Sequence, residues 1–158
     1  MRIIMALVAL LMGLSGTGLT LEEEIAETLG VQAQTGEIVY ADDSHAGFHG
    51  DGEAFVILEF AEDDELVRSI EENAHWHELP MNEAERLLAY GPVVEGLLPE
   101  AENLLPDVEE GWYRLIDRQI PAGEEADAER MMERYSYNFT LGVYDAARKR
   151  LYYVEIDT

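Results

Sequence analysis

Cysteine is absent from the chain, and basic residues are scarce: 10 Lys+Arg stand against 34 Asp+Glu, for a formal net charge of −24. Without cysteine there is no disulfide, iron–sulfur cluster, thiolate zinc site, thiol nucleophile or lipid-attachment cysteine. With so few bases, the surface repels phosphate backbones and anionic headgroups. Nucleic acid is therefore excluded as a partner, and membrane contact is left to the N-terminal segment alone. Internal repeats and low-complexity tracts are also missing. A hydrophobic content of 47% argues against a disordered acidic tail. At 158 residues the chain fits one domain with a real core.

The N-terminus carries the signal for location. Met1-Arg2 is a minimal positive start, Ile3 to Leu14 is an apolar run, and Ser15 to Gly18 is small and flexible. That order is the layout of a secretory signal. The uncharged stretch extends to Leu21, long enough to span a bilayer. Residues 1–20 are thus read as a signal peptide or an uncleaved membrane anchor. A buried first helix of a cytosolic fold is the third reading. The first two place residues 21–158, a single acidic domain, outside the cytoplasm.

Within that domain, Thr20 and Glu23 form a capping box for an amphipathic helix over 21–29, closed by Gly30. Glu37 to Ala41 reads as a strand. Ala54 to Phe60 is almost continuously apolar, the mark of a central strand. A helix begins at Asp63 or Asp64, with Leu66, Val67, Ile70 and Ala74 as its stripe. Asn82 and Glu85 make a second capping box before a helix that Gly91-Pro92 stops. Residues 92–110 carry three prolines and read as an irregular connector. Gly111 to Ile120 is a strand, and Arg130 to Arg134 a helical turn. Tyr135 to Tyr144 and Leu151 to Asp157 alternate in polarity around a short turn and form a hairpin. The expected fold is α+β: an antiparallel sheet of about five strands, helices mainly on one face, preceded by the hydrophobic segment.

The charge is uneven. Residues 21–110 hold 25 acids and two arginines, a balance of −23, whereas residues 111–158 balance at −2. Such a pole solvates an exported surface, attracts a protein partner with a basic surface, or gathers divalent cations loosely.

One loop stands out. Asp42 to Glu53 (DDSHAGFHGDGE) packs three Asp, two of the four His and three Gly between two strands. Loops of that length are often functional. His45 and His49, with Asp43 and Asp51 as oxygen donors and Asp42 beside them, form a candidate divalent-metal set. His75 and His77, flanking Trp76, are a second pair with both rings on one side of an extended segment. Two such pairs could share one ion. The competing readings are an ordinary structural loop, with turn chemistry at Gly50-Asp51-Gly52, and a ligand pocket. Ser44 beside His45 is not evidence of a triad, because geometry defines a triad. Asp117-Arg118 reads as a cross-strand surface pair rather than a site. Asn138-Phe139-Thr140 matches a glycosylation sequon but reads as strand.

The string Asp43 to Gly52 (DSHAGFHGDG), with Trp112 to Arg118 (WYRLIDR) and Tyr135 to Asp157, resembles a group of small uncharacterised proteins of Gram-positive bacteria. These carry an N-terminal hydrophobic segment and one acidic domain. The resemblance covers residues 21–158 and implies a single extracytoplasmic domain; it carries no activity. The group reads His-Gly-Gly-Phe where this chain has His45-Ala46-Gly47-Phe48. Three functions follow in order of preference. The first is a noncatalytic binding or surface protein. The second is a metal-binding domain, and the third a metal-assisted hydrolase built on the same loop.

Overall fold

The computed structural model describes residues 18–45, 51–91, 94 and 104–158. Helix α1 (Leu21–Leu29) opens on Thr20, whose side chain accepts from the Glu23 amide while Glu23 reaches back to the Thr20 amide. It closes on Gly30 in the left-handed conformation. Strands β1 (Glu37–Asp43) and β2 (Gly52–Glu59) form a hairpin. Helix α2 (Asp64–Glu71) is followed by a two-residue strand, β3 (His77–Glu78), which the sequence pattern does not announce. Helix α3 (Glu83–Tyr90) carries the expected capping box of Asn82 and Glu85. Then come β4 (Gly111–Asp117), a short α4 (Ala128–Met132), β5 (Asn138–Asp145) and β6 (Arg150–Asp157).

The six strands form one antiparallel sheet in the order β1-β2-β6-β5-β4-β3. The α+β class is as expected, with six strands in place of five. The helices, however, cover both faces. In β2, Phe55 and Ile57 pack with Leu88, Ala89, Ala128 and Met131, under α3 and α4. Val56 and Leu58 pack with Ile25, Leu29, Leu66 and Ile70, under α1 and α2. Successive residues of a strand point to opposite faces, so these clusters lie on the two sides of the sheet.

β5 shows why the one-sided expectation fails. Beyond Asn138, its α1-facing positions are buried too. Thr140 is wholly enclosed and meets Arg118, and Gly142 leaves room for a helix. A Cβ at Gly142 would stand 2.9 Å from both methyl carbons of Leu29 and 3.1 Å from the Trp76 ring. The absent side chain lets α1 settle on the sheet. The sequon Asn138-Phe139-Thr140 is ladder, as its alternation indicated. The apolar N-terminus through Thr17 and most of the 92–110 connector lie outside the described residues. Among the described residues no helix is long and apolar enough to cross a membrane.

Candidate functional site

The loop expected over 42–53 is shorter in the fold. Asp42 and Asp43 are the last residues of β1, and Gly52 and Glu53 the first of β2. His45 leaves β1 and crosses over β2. Gly52 permits this: a Cβ there would lie 2.7 Å from the backbone N and Cα of His45. The imidazole consequently reaches the third strand, β6. Its Nδ1 sits 2.6 Å from Asp43 Oδ1, and its Nε2 sits 3.0 Å from Asp157 Oδ2. Burial pushes the His45 pKa down. The hydrogen bonds to Asp43 and Asp157, with the charges of Asp43 and Glu155, outweigh burial and leave it above the usual histidine value.

The cluster continues across the sheet. Asp157 and Glu155 alternate on the α1-facing side of β6. Arg118, just beyond β4, donates to Asp157 and Thr140, donates at 3.1 Å to the Ile156 carbonyl, and lies 3.4 Å from Glu155. Tyr153 donates to the other oxygen of Glu155. Burial, then the Glu155 charge, hold its phenol well above the ordinary value. Three acids thus face one arginine and one histidine. Arg118 is not paired with Asp117, as the dipeptide suggested; the two side chains leave opposite faces. Asp117 is buried against Arg134, at 2.8 Å.

His45 Nε2, Glu155 and Asp157 each offer a ligand atom, all within 4.8 Å of one another. Asp43 on the far ring nitrogen is placed as the carboxylate that orients a metal-bound histidine. Of the candidate metal residues, His45 and Asp43 therefore join this cluster. Asp51 is exposed and stands apart from the three-ligand set, and His49 lies outside the described residues. His75 and His77 do share one side of their segment: both approach Glu125, at 2.6 and 3.5 Å. They do not meet His45. His77 aligns through Tyr113 and Val143 with Tyr152, three strands across and five residues along from Asp157, a separation of about 20 Å. The expected sharing of one ion by two histidine pairs is thus corrected: β1 and β3 are opposite edges of the sheet. Ser44 forms no triad. Its hydroxyl bonds Glu53 Oε2 at 2.5 Å, not His45.

A groove of about 430 Å³ opens beside this cluster, between α1 and the ends of β1, β2 and β6. Leu21, Ile25, Ala54 and Val56 contribute an apolar floor. Glu24, Glu27, Asp42, Asp43 and Glu155 ring it together with His45, and among the described residues no lysine or arginine lines it. Glu155 and Asp157 were missed from sequence, and Arg118, read there as part of a surface pair rather than a site, joins them. The available signal was the alternation Tyr153, Glu155, Asp157 on one face of a well-marked strand, which turns charged at its end. No family model, curated protein or solved structure matches the chain.

Proposed function

We propose that this chain is an extracytoplasmic, noncatalytic binding protein whose acidic groove captures a cationic partner. The N-terminal segment supports export or tethering to the cell membrane. The groove is the observation that carries the reading. Five carboxylates surround an apolar floor, and among the described residues His45, itself held between Asp43 and Asp157, is the one basic side chain in the lining. That lining rewards a ligand with a positive head and an aliphatic stem, as lysine and arginine side chains have. Ser44 and His45 make no nucleophile–base pair, since the Ser44 hydroxyl bonds Glu53 and the ring nitrogens of His45 meet Asp43 and Asp157.

A divalent cation is the second reading, favoured by the convergence of His45, Glu155 and Asp157 with Asp43 behind the ring. It requires His45 to give up a proton and Arg118 to release Asp157. One titration by native mass spectrometry separates the two. The full chain, in non-ionic detergent, is offered a short lysine peptide or zinc. The variants are Glu27→Gln/Asp42→Asn/Asp43→Asn and, as a charge-matched control, Glu62→Gln/Glu65→Gln/Glu71→Gln on and beside α2. The peptide is expected to bind about tenfold more weakly to the first variant and unchanged to the control. Equal weakening in both would reduce the attraction to net charge and overturn the groove. A one-to-one zinc adduct abolished by His45→Ala would favour the metal reading.

A further inference from the structure

We infer that Arg118 decides which class of cation this site takes: it keeps divalent metal ions out of the triangle of His45, Glu155 and Asp157 and leaves the groove beside it to organic ammonium groups. This rests on the reading of the groove as a site for cations and names the residue that sets its selectivity. Arg118 directly follows β4, and its N–H donates to the Asn138 carbonyl of β5 at 2.9 Å, so the ladder fixes the direction of its side chain. Asn138 pairs with Asp157, and Thr140 with Glu155, across to β6. The guanidinium therefore passes over β5 and meets two alternate residues of β6 on one face of the sheet. Thr140, wholly enclosed, accepts from one of its nitrogens, and the Ile156 carbonyl accepts from the other at 3.1 Å. Four partners hold it in place.

The carboxylates of the triangle are already shared out. Asp157 accepts from Arg118 on Oδ1 and meets His45 Nε2 through Oδ2. Glu155 lies 3.4 Å from Arg118 through Oε1 and accepts from the Tyr153 hydroxyl on Oε2. A metal ion bound by His45 Nε2, Glu155 and Asp157 would draw on the same oxygens, at about 2.0–2.2 Å from each. It would then sit against a fixed guanidinium, and charges of one sign held between the same two carboxylates repel. The arginine thus fills the role that a divalent ion would play there. The groove differs. His45, Asp43 and Glu155 line it, whereas among the described residues Asp157 and Arg118 do not. An ammonium group seated on the apolar floor can meet Asp43, Glu27 and Glu155 from the groove side without displacing Arg118. It also needs no nitrogen ligand, since an ammonium only donates.

The test measures zinc affinity by competition with a chromophoric chelator, on the full chain in non-ionic detergent. Arg118→Gln should bind one zinc ion at least about tenfold more tightly than wild type, and Arg118→Gln/His45→Ala should lose that gain. Arg150→Gln removes the same charge from the other end of β6, where the arginine pairs with Glu59, and should gain nothing. An equal gain there would reduce the effect to net charge and overturn the inference. So would the absence of any gain in an Arg118→Gln protein whose circular dichroism matches wild type. Wild type and His45→Ala give a check that survives a folding failure at position 118. The two should bind zinc alike, and a one-to-one ion present in wild type and lost in His45→Ala would show that Arg118 does not exclude the metal. A short lysine peptide is titrated in parallel and should bind Arg118→Gln as it binds Arg150→Gln. If it binds neither these nor wild type while Arg118→Gln gains zinc, the cation groove falls and only the exclusion of metal stands. If it binds and Arg118→Gln gains no zinc, the groove stands and the inference falls.

Discussion

His45 is held where it is by a neighbour that has no side chain and by two that carry charge. Gly52 lets its backbone pass, and Asp43 and Asp157 grip opposite ring nitrogens. Glu155 adds a third negative charge, and Arg118, which holds Asp157 and approaches Glu155, opposes them. The net effect raises the histidine's native pKa, so the folded state holds the proton more tightly than the unfolded chain. The sign follows. The stabilisation is complete below the unperturbed value of 6.5 and is lost as pH rises through the raised native value. In chelator-treated buffer, wild type should exceed His45→Gln in unfolding free energy by about 1 kcal/mol at pH 6. That is the figure for a charge-assisted bond, discounted for the fifth of the ring that water reaches. The gap should close by pH 9. Urea unfolding of both proteins at the two pH values checks it; a gap that widens with pH would reverse the assignment. In the sequence, His45 was recognisable as a candidate ligand with Asp43. Its partners on β6 were not, because they lie more than a hundred residues away and only the sheet order brings them in.

α1 is the groove's wall, and its attachment is concentrated at its C-terminal end. The Leu29 carbonyl, which the helix leaves without an internal partner, accepts from Trp76 Nε1 at 3.0 Å and from Arg114 Nη1 at 2.7 Å. The guanidinium also places a positive charge at the negative end of the helix. The Leu29 side chain is fully buried over Gly142. Leu29→Ala should cost about 2–5 kcal/mol by emptying that space, and Gly142→Ala about 1–3 kcal/mol by overfilling it. The two should not add. The alanine methyl at 142 enters the room that Leu29 vacates, so urea unfolding should show the double variant losing less than the sum. Strict additivity would mean that the helix does not rest there.

The helix itself was legible, since Thr20, Glu23 and Gly30 mark both of its ends. The packing that needs Gly142 was not, because a glycine between apolar residues reads as a solvent-facing gap until the helix above it is known. The near-continuous apolar run in β2 did carry the message that both faces are buried, and the expectation of a one-sided sheet gave it too little weight. β3 escapes any reading by pattern, since two residues cannot show a period.

Over the whole molecule, 34 acids cannot be balanced by 10 bases. Seven of those bases are already committed to carboxylates among the described residues, in pairs such as Arg150–Glu59, Arg86–Asp107 and Lys149–Asp63. Most such pairs are partly exposed, and each is worth at most about 1 kcal/mol, so screening them costs little. The uncompensated acids, concentrated in residues 21–110, repel one another in the compact state and less in the expanded one. Salt should therefore act on this protein in two opposite directions. Raising sodium chloride from 0.01 to 1 M shortens the screening length from about 30 to 3 Å and removes most of the repulsion. Thermal unfolding should then shift upward by several degrees. A gain on the order of 1–2 kcal/mol gives roughly 3–8 °C for a chain of this size. On the proposed reading of the groove, the same screening should weaken the binding of a lysine peptide. A scan of unfolding temperature and peptide affinity across one salt series measures both. If stability falls, the acids are held in more attractive pairs than the fold displays; if affinity does not fall, charge is not what holds the peptide. If stability rises while affinity drops, the protein keeps a surface that costs it stability and gains it a cationic ligand.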